Sequence, residues 1–375
     1  MAPVARLQAW ACRSPIAEPV ATSFGIMRNR PAVFLRVEDV EGAFGWGEVF
    51  ANWPAAGAEH RVNLMADDIA PAVLGREARD PTAVFRTLEA ALHIRALQCG
   101  EFGPFGQVLA GLDQALWDLA ARRAGRPVAQ ALEPDAPTHV PAYASGIHVD
   151  AADRLIPEAR ATGFAVFKVK VGFSDRDAAK VREIASGLET GERLALDANQ
   201  AWSPEAAATF LDSVGDLPLL WMEEPIRADL PVANWRRLPR HVPLAGGENI
   251  AGEPAFARAL SEGVLAVYQP DVAKWGGFTG CMAVGRAALR AGQMYCPHFL
   301  GGGIGLAASG HLLAAVGGPG LLEVDVNPNP LRDSFGAIAD RVADGLWQVG
   351  TAPGIGPAEL PEAVRAAVTH HREAA

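Results

Sequence analysis

The sequence predicts an α/β protein in which a closed parallel barrel of β/α units follows a smaller α+β domain. Two observations predict the barrel. The first is the stretch AVFKVKVG at residues 165–172, where Val166, Lys168 and Lys170 alternate with Phe167, Val169 and Val171. Strand side chains change sides at every residue, so both ammonium groups share one face and the other face is wholly apolar. The second is a beat. Short apolar runs ending in a polar residue recur at Lys170 (FKVK), Asp197 (RLALD), Glu223 (LLWME), Glu248 (VPLAGGE), Asp271 (AVYQPD), His298 (MYCPH) and Glu323 (GLLE), separated by 27, 26, 25, 23, 27 and 25 residues. That interval is the length of one strand, loop, helix and return loop. An earlier run at Val140–Ser145 (VPAYAS) completes eight strands, the number that closes a parallel barrel. The chemically interesting residues fall at the C-terminal ends of strands, where such barrels build their active sites, so seven ionisable groups should converge on one pocket.

The remaining elements follow in order. Residues from Val4 to about Gly45 alternate in the manner of strands, with a turn at Glu41-Gly42, and form a small meander. Glu18–Arg30 and Val49–Gly57 read as two loops that cap a neighbouring pocket. From Ala58 to Ala131 the period becomes helical, most clearly in LAGLDQALWDLAARRA, which Gly125 and Pro127 end. Asp135-Ala-Pro137 reads as the linker into the barrel. The expected division is an α+β capping domain at 1–133, a barrel at 138–345 and a segment at 346–375 that returns towards the capping domain. Within that last segment Gly345–Val349 is expected as a strand and Pro361–Ala374 as a surface helix.

Composition excludes other classes. A chain of 375 residues, half of them hydrophobic, can bury one large core and a second smaller one. A net charge of -10 argues against a nucleic-acid or anionic-membrane surface, since both need a basic face. Cys12, Cys99, Cys281 and Cys296 show neither metal-site nor redox-motif spacing and do not read as a disulfide framework, which fits a cytoplasmic protein. The opening MAPVARLQAWACR lacks the basic-then-apolar form of an export signal. Gly301–Leu322 is the most apolar long stretch, but its glycines, His311 and Pro319 suit a loop and a buried helix rather than a membrane span.

Several motifs in fixed order resemble the enolase superfamily, and within it the mandelate racemase branch. They are AGLDQALWDLAARRAGRPVAQAL, the KVK strand, LDANQAW, MEEP, GGEN, QPDVAKWGG, the PH of the seventh strand and PGIG near the end. The resemblance covers nearly the whole chain and implies a modified (β/α)7β TIM-like barrel with an α+β N-terminal capping domain. ALEPD at Ala131–Asp135 departs from the leucine and glycine pair that relatives usually carry there.

Carried over position by position, the resemblance implies that Asp197, Glu223 and Glu248 are Mg²⁺ ligands. Hard oxygen ligands suit that ion, and acids that merely cap helices would not be expected in three consecutive units. It implies Lys170 as a base and Lys168 as the group that binds the substrate carboxylate. A base role needs the Lys170 pKa lowered by neighbouring cations. Asp271 and His298 would form a dyad on the opposite side of the substrate, the aspartate orienting the imidazole. Glu323 would be protonated and hydrogen-bond the developing enolate. Asn199 and Asn249 fit contacts to substrate or to the ligands, or simple turn residues. Arg28, Asn29, Arg30 and Trp53 on the capping loops could meet hydroxyls or a distal carboxylate.

The implied reaction is Mg²⁺-dependent removal of the proton next to a carboxylate, with the second negative charge stabilised at the carboxylate oxygens. Dehydration of an acid sugar is the leading outcome, with racemisation of a 2-hydroxy acid or lactone cycloisomerisation as alternatives on the same site. PHFLGGGIGLAASGHLLAA followed by EVDVNPNPLR is similar to galactarolactone cycloisomerases and points to sugar acids. The implied partners are a small hydroxy acid or sugar acid and further copies of the chain. Three rivals stand beside this reading. Gly303-Ile-Gly305-Leu-Ala-Ala308 imitates a dinucleotide fingerprint, though in the seventh unit and not the first. Lys170 could serve a Schiff-base aldolase, and a barrel without turnover could simply bind an acid.

Overall fold

The computed structural model describes residues 2–23 and 25–375. Phe24, inside the predicted Glu18–Arg30 loop, lies outside the described residues. A four-stranded antiparallel sheet is built from β1 (Val4–Thr22), β2 (Gly25–Asp39) and β3 (Phe44–Val49) with the C-terminal strand Val368–Ala374. Helices α1 (Gly57–Leu64), α2 (Pro81–Cys99), α3 (Phe102–Arg123) and α4 (Val128–Leu132) follow. Asp80 caps α2 by accepting from the Ala83 N–H, Pro81 fits its first turn, and Gly100 ends it in the left-handed conformation. Gly45 and Gly47 let β3 lie directly on α3, since a Cβ on either would stand 2.0 or 1.9 Å from the carbonyl oxygens of Ala115 and Gly111.

The barrel strands are β4 (His139–His148), β5 (Val166–Lys170), β6 (Arg193–Asp197), β7 (Met222–Glu223), β8 (Leu244–Gly246), β9 (Val267–Tyr268), β10 (Met294–Tyr295) and β11 (Leu322–Asp325). Between them run α5 (Ala152–Thr162), α6 (Asp177–Ser186), α7 (Pro204–Val214), α8 (Val232–Arg236), α9 (Glu253–Glu262), α10 (Gly277–Arg290) and α11 (Gly303–Val316). Neighbouring strands from β4 to β10 pair in parallel, and β11 returns to pair with β4. Among the described residues β10 and β11 share no backbone ladder. That seam is held by the Leu321 N–H on the Cys296 sulfur at 3.3 Å.

The period of two sets the barrel interior. Tyr143, Val166, Ala195, Trp221, Ala245, Val267, Cys296 and Leu321, one from each strand or its edge, form an apolar plug. Two positions further along stand Ser145, Lys168, Asp197, Glu223, Gly247, Gln269, His298 and Glu323, on the same inner face. The intervening residues, such as Phe167, Leu196, Met222 and Val324, pack outward into the main core with the helices. Among the described residues no helix is long and apolar enough to cross a membrane.

Three sequence expectations are corrected. The predicted Pro361–Ala374 helix is a short helix, Glu362–Ala366, followed by a strand, Val368–Ala374. That strand pairs antiparallel with the free edge of β1, and His371 stacks on Trp10 at 5.0 Å. Its local composition favours helix, but an open sheet edge outweighs propensity. The predicted Glu18–Arg30 loop is largely the arm of a long hairpin. After an irregularity at Pro15 to Val20, pairing resumes with Val20 opposite Met27 and Thr22 opposite Gly25. Finally, the polar residues do not all end strands. Lys170, Asp197 and Glu223 do, whereas Glu248, Asp271 and His298 lie two or three residues beyond and Glu323 lies inside β11. The strand expected at Gly345–Val349 forms at Leu346–Gln348 and pairs with β4.

Buried acids of the first unit join it to the barrel and to the C-terminal segment. Asp113 of α3 accepts from the Thr279 N–H at 2.9 Å and the Thr279 hydroxyl at 2.6 Å, at the start of α10. Asp118 accepts from the N–H groups of Trp46 at 2.7 Å and Ile355 at 2.5 Å. Burial pushes the Asp113 carboxyl up to about 7 against the pull of its Thr279 and Phe278 donors. Such a group favours the folded state at low pH, and that contribution is lost as pH rises from its unfolded value through about 7. Between about pH 5 and about pH 8 the wild-type chain is therefore expected to lose on the order of 2 kcal/mol more in urea unfolding than Asp113→Asn. Equal losses in the two proteins would show that the carboxyl ionises as readily folded as unfolded.

Candidate active site

The inner layer above the plug is a compensated cluster of buried charge. Lys168, 1% exposed, places Nζ 2.7 Å from Oε2 of Glu223, 2.7 Å from Oε1 of Glu323 and 3.9 Å from Oδ2 of Asp197. The Tyr143 ring of the plug lies 5.5 Å from the same ammonium. Burial pushes the Lys168 pKa down, but Glu223 and Glu323 outweigh it and hold it well above the ordinary value. Lys170 donates to Oδ2 of Asp197 at 2.9 Å and to Oδ1 of Asn199 at 2.6 Å. The expectation from sequence is a depressed Lys170. Burial and Lys168 do push it down, yet the touching Asp197 carboxylate raises it overall.

The opposite side is built from the loops after β8, β9 and β10. Asp271 and His298 form a parallel bridge, and the imidazole Nδ1 lies 2.7 Å from Oδ2 of Asp271. The N–H groups of Ala273 and Lys274 hold the other aspartate oxygen at 2.7 and 3.2 Å. His298 Nε2 stands 3.3 Å from Glu248 and 4.0 Å from Glu323. Burial alone would drive the imidazole down, but Glu248, Glu323 and Asp271 raise it to about 9. Glu323 accepts from the Ser145 hydroxyl at 2.5 Å and the Phe299 N–H at 3.2 Å. Burial opposes its ionisation, yet Lys168, His298 and Ser145 bring its pKa below the ordinary value.

The three carboxylates expected to share an ion come from consecutive units, Asp197 and Glu223 at the ends of β6 and β7 and Glu248 two residues past β8. Lys170 pairs with Asp197, and Asp197 with Glu223, in the ladders β5–β6 and β6–β7. Each faces a cation of the chain: Asp197 faces Lys170, Glu223 faces Lys168, and Glu248 faces Lys274 at 2.5 Å. Among the described residues no group of three or more histidine, cysteine, aspartate or glutamate side chains is gathered closely enough to hold a metal ion. The donor chemistry does suit a hard cation. Glu223 keeps one carboxylate oxygen, Oε1, buried without a hydrogen-bond partner. The acids Asp197, Glu223, Asp271 and Glu323, all buried, and the half-buried Glu248 also outnumber Lys168, Lys170, Lys274 and the imidazolium. Burial lifts Glu223 to about 7, with Lys168 pulling the other way.

Other expected residues have different surroundings. Asn199, at a left-handed φ of 43°, bridges Lys170 and Asp197. Asn249 donates to Glu224 at 2.7 Å. Arg30 is buried against Asp325 at 2.7 Å and the Pro328 carbonyl at 3.2 Å, so it fastens the hairpin to the end of β11. Arg28 is exposed, and Asn29 accepts from Arg13 at 3.4 Å. The Trp53 ring packs over Gly25, which joins the two capping segments. Ser23 at the hairpin end donates to the Asn199 carbonyl. Sequence reasoning missed Ser145, Gln269 and Lys274. Gln269 donates to Glu223 at 2.6 Å. The period of two above the plug would have found Ser145 and Gln269.

A capped parallel barrel carrying two lysines, strand-end acids and an aspartate–histidine pair at its mouth defines an enzyme of the enolase superfamily. Residues 151–363 match the enolase C-terminal domain-like family, and residues 6–132 match the mandelate racemase / muconate lactonizing enzyme N-terminal domain. The chain belongs to this mandelate racemase/muconate lactonizing enzyme family. A mandelate racemase/muconate lactonizing enzyme structure from Bordetella bronchiseptica aligns with a TM-score of 0.91 and 45% identity, covering 98% of this chain and 99% of that one. D-galactarolactone cycloisomerase from Agrobacterium fabrum is 28% identical over 88% of this chain and 89% of its own length. D-galactonate dehydratase from Ralstonia nicotianae is 30% identical over 75% of this chain and 74% of its own. The homologues are thus lyases and isomerases of sugar acids.

Lys168 neutralises two buried acids at once, and removing one partner of such a set leaves charge stranded in the interior. Lys168→Met is expected to lower unfolding stability at neutral pH by about 3 kcal/mol in guanidinium titrations. A loss below about 1 kcal/mol, the scale of a surface pair, would show that water already solvates the cluster.

Proposed function

We propose that this protein removes the proton next to the carboxylate of a sugar acid and expels the β-hydroxyl, yielding a 2-keto-3-deoxy acid. The observation that carries this is the placing of two proton-transfer groups, Lys170 on β5 and His298 after β10, around one cluster of compensated acids. Lys170 takes the proton from the α-carbon, and the lowered pKa that this needs would come from a cation held by Asp197, the carboxylate that raises the ammonium here. His298, oriented by Asp271, delivers a proton to the departing hydroxyl, which leaves as water, and the resulting enol tautomerises to the keto acid. Lys168 meets the substrate carboxylate, and Asn199 lies beside Lys170 at the same end of the barrel. Asp197, Glu223 and Glu248 would hold Mg²⁺, and the unpartnered Oε1 of Glu223 supports that assignment. Bound there, the ion supplies positive charge where the carboxylate oxygens gain their second negative charge.

A cycloisomerase reading is favoured by one observation, the long match to the galactarolactone enzyme. In that case an internal ring oxygen leaves in place of the hydroxyl, and the product has the mass of the substrate.

Incubation with a panel of sugar acids and lactones, followed by mass and keto-group detection, separates these outcomes. The expected result is a 2-keto product lighter by one water, abolished by EDTA and restored by Mg²⁺. Lys170→Met and His298→Asn are each expected to reduce kcat by roughly 10²–10⁴-fold, the usual contribution of a positioned acid or base. A product of unchanged mass would replace dehydration, by cycloisomerisation if it carries a new keto group and by epimerisation if it does not. Full activity in EDTA would rule out a role for the metal.

A further inference from the structure

The backbone on both sides of the Asp271–His298 pair is gripped by the capping domain. Gln114, fully buried in α3, donates through Nε2 to the carbonyl of Val272 at 2.8 Å. The peptide bearing that carbonyl also bears the Ala273 N–H, which donates to Oδ1 of Asp271 at 2.7 Å. A hydrogen bond at a peptide oxygen polarises the N–H at its other end and fixes the plane in which it points. Oδ2 of the same aspartate then holds the imidazole at 2.7 Å. An unbroken line therefore runs from a helix of the capping domain through one peptide and one carboxylate to the ring.

Gln114 has little freedom to swing out of this line. Its Oε1 accepts from the Glu48 N–H at 3.1 Å, and its Nε2 also donates to the Glu48 carbonyl at 2.9 Å. One residue along from Val272, the Ala273 carbonyl accepts from the Phe50 N–H at 3.1 Å. Past His298, the Glu48 carboxylate accepts from the N–H groups of Gly302 at 2.5 Å and Gly305 at 2.8 Å, at the start of α11. Asn52 donates to the Leu300 carbonyl at 2.8 Å.

We propose that Gln114 is a positioning residue for the Asp271–His298 dyad, acting through the Val272–Ala273 peptide, so that the capping domain orients the imidazole as well as covering the barrel mouth. The proposal rests on the role given above to that dyad in proton transfer. An apolar side chain of equal length at position 114 fills the same volume but leaves the Val272 carbonyl free to turn, and with it the N–H that holds Asp271.

The test uses the full chain carrying ¹⁵N-labelled histidine. The Nδ1 proton of His298, identified by its absence in His298→Asn, is followed by NMR in the wild-type protein and in Gln114→Met. It is expected as a downfield, protected resonance in the wild type. In Gln114→Met it is expected to move upfield or broaden away, with kcat reduced roughly tenfold, as for loss of a group that orients a catalytic ligand. KM is expected to stay within about twofold, because Gln114 touches no substrate. A folded Gln114→Met protein whose His298 proton is unchanged overturns the proposal. If that variant does not fold by circular dichroism, Gln114→Leu is read in the same way, since it too removes the donor to the Val272 carbonyl. The resonance is recorded without substrate, so failure to turn over any sugar acid sinks the proposed reaction without altering what the resonance says of Gln114.

Discussion

Charge compensation in a buried layer is the constraint from which the rest of this structure follows. An apolar plug of one residue per strand closes the barrel below, and two positions above it the same strands present Lys168, Asp197, Glu223, His298 and Glu323. Isolated charges at that depth would each cost several kcal/mol, so amines, imidazolium and carboxylates are tolerated only as a mutually paired set. The pairing explains the directions in which the pKa values move. His298 is raised because acids surround it, Glu323 is lowered because Lys168 touches it and His298 stands nearby, and Lys170 is raised by Asp197. An arrangement that holds so many opposed charges within reach of one another also suits a reaction whose central difficulty is a transient dianion.

The barrel was legible in the sequence because its signal is repeated. Seven polar endings at a near-constant interval, and the alternation of Lys168 and Lys170 with Phe167 and Val169, carry both strand identity and side-chain direction. The Asp271–His298 pair was implied by the resemblance to the mandelate racemase branch, and the repeat added that the two residues belong to adjacent units. What the sequence concealed is non-local. The strand Val368–Ala374 takes its conformation from a β1 edge more than 350 residues earlier, which no local period records. Arg30 has the character of a substrate contact in sequence, and only Asp325, on the last barrel strand, shows that it is neutralised within the chain. The ionisation of Lys170 and Glu323 depends on which neighbour lies within 3 Å, and strand spacing does not fix that.

The first unit does more than shelter the barrel mouth. Its acids and amides are directed at barrel backbone: Asp113 at the start of α10, Glu48 at the start of α11, Gln114 on the peptide beside Asp271. Two helices that follow the dyad residues are thereby anchored from outside the barrel. Burial lifts Glu48 to about 7 even with the Gly305 and Gly302 N–H groups on it. The barrel supplies Asp271, which holds the histidine, and the first unit supplies Gln114, which holds the peptide beside that aspartate.

The most direct test of the central claim is a crystal structure of the protein soaked with Mg²⁺ and a sugar acid. One ion is expected about 2.1 Å from an oxygen of each of Asp197, Glu223 and Glu248. The substrate α-carbon is expected between Nζ of Lys170 and Nε2 of His298. An ion that touches fewer than all three carboxylates, or an α-carbon reached from one side only, would contradict the claim.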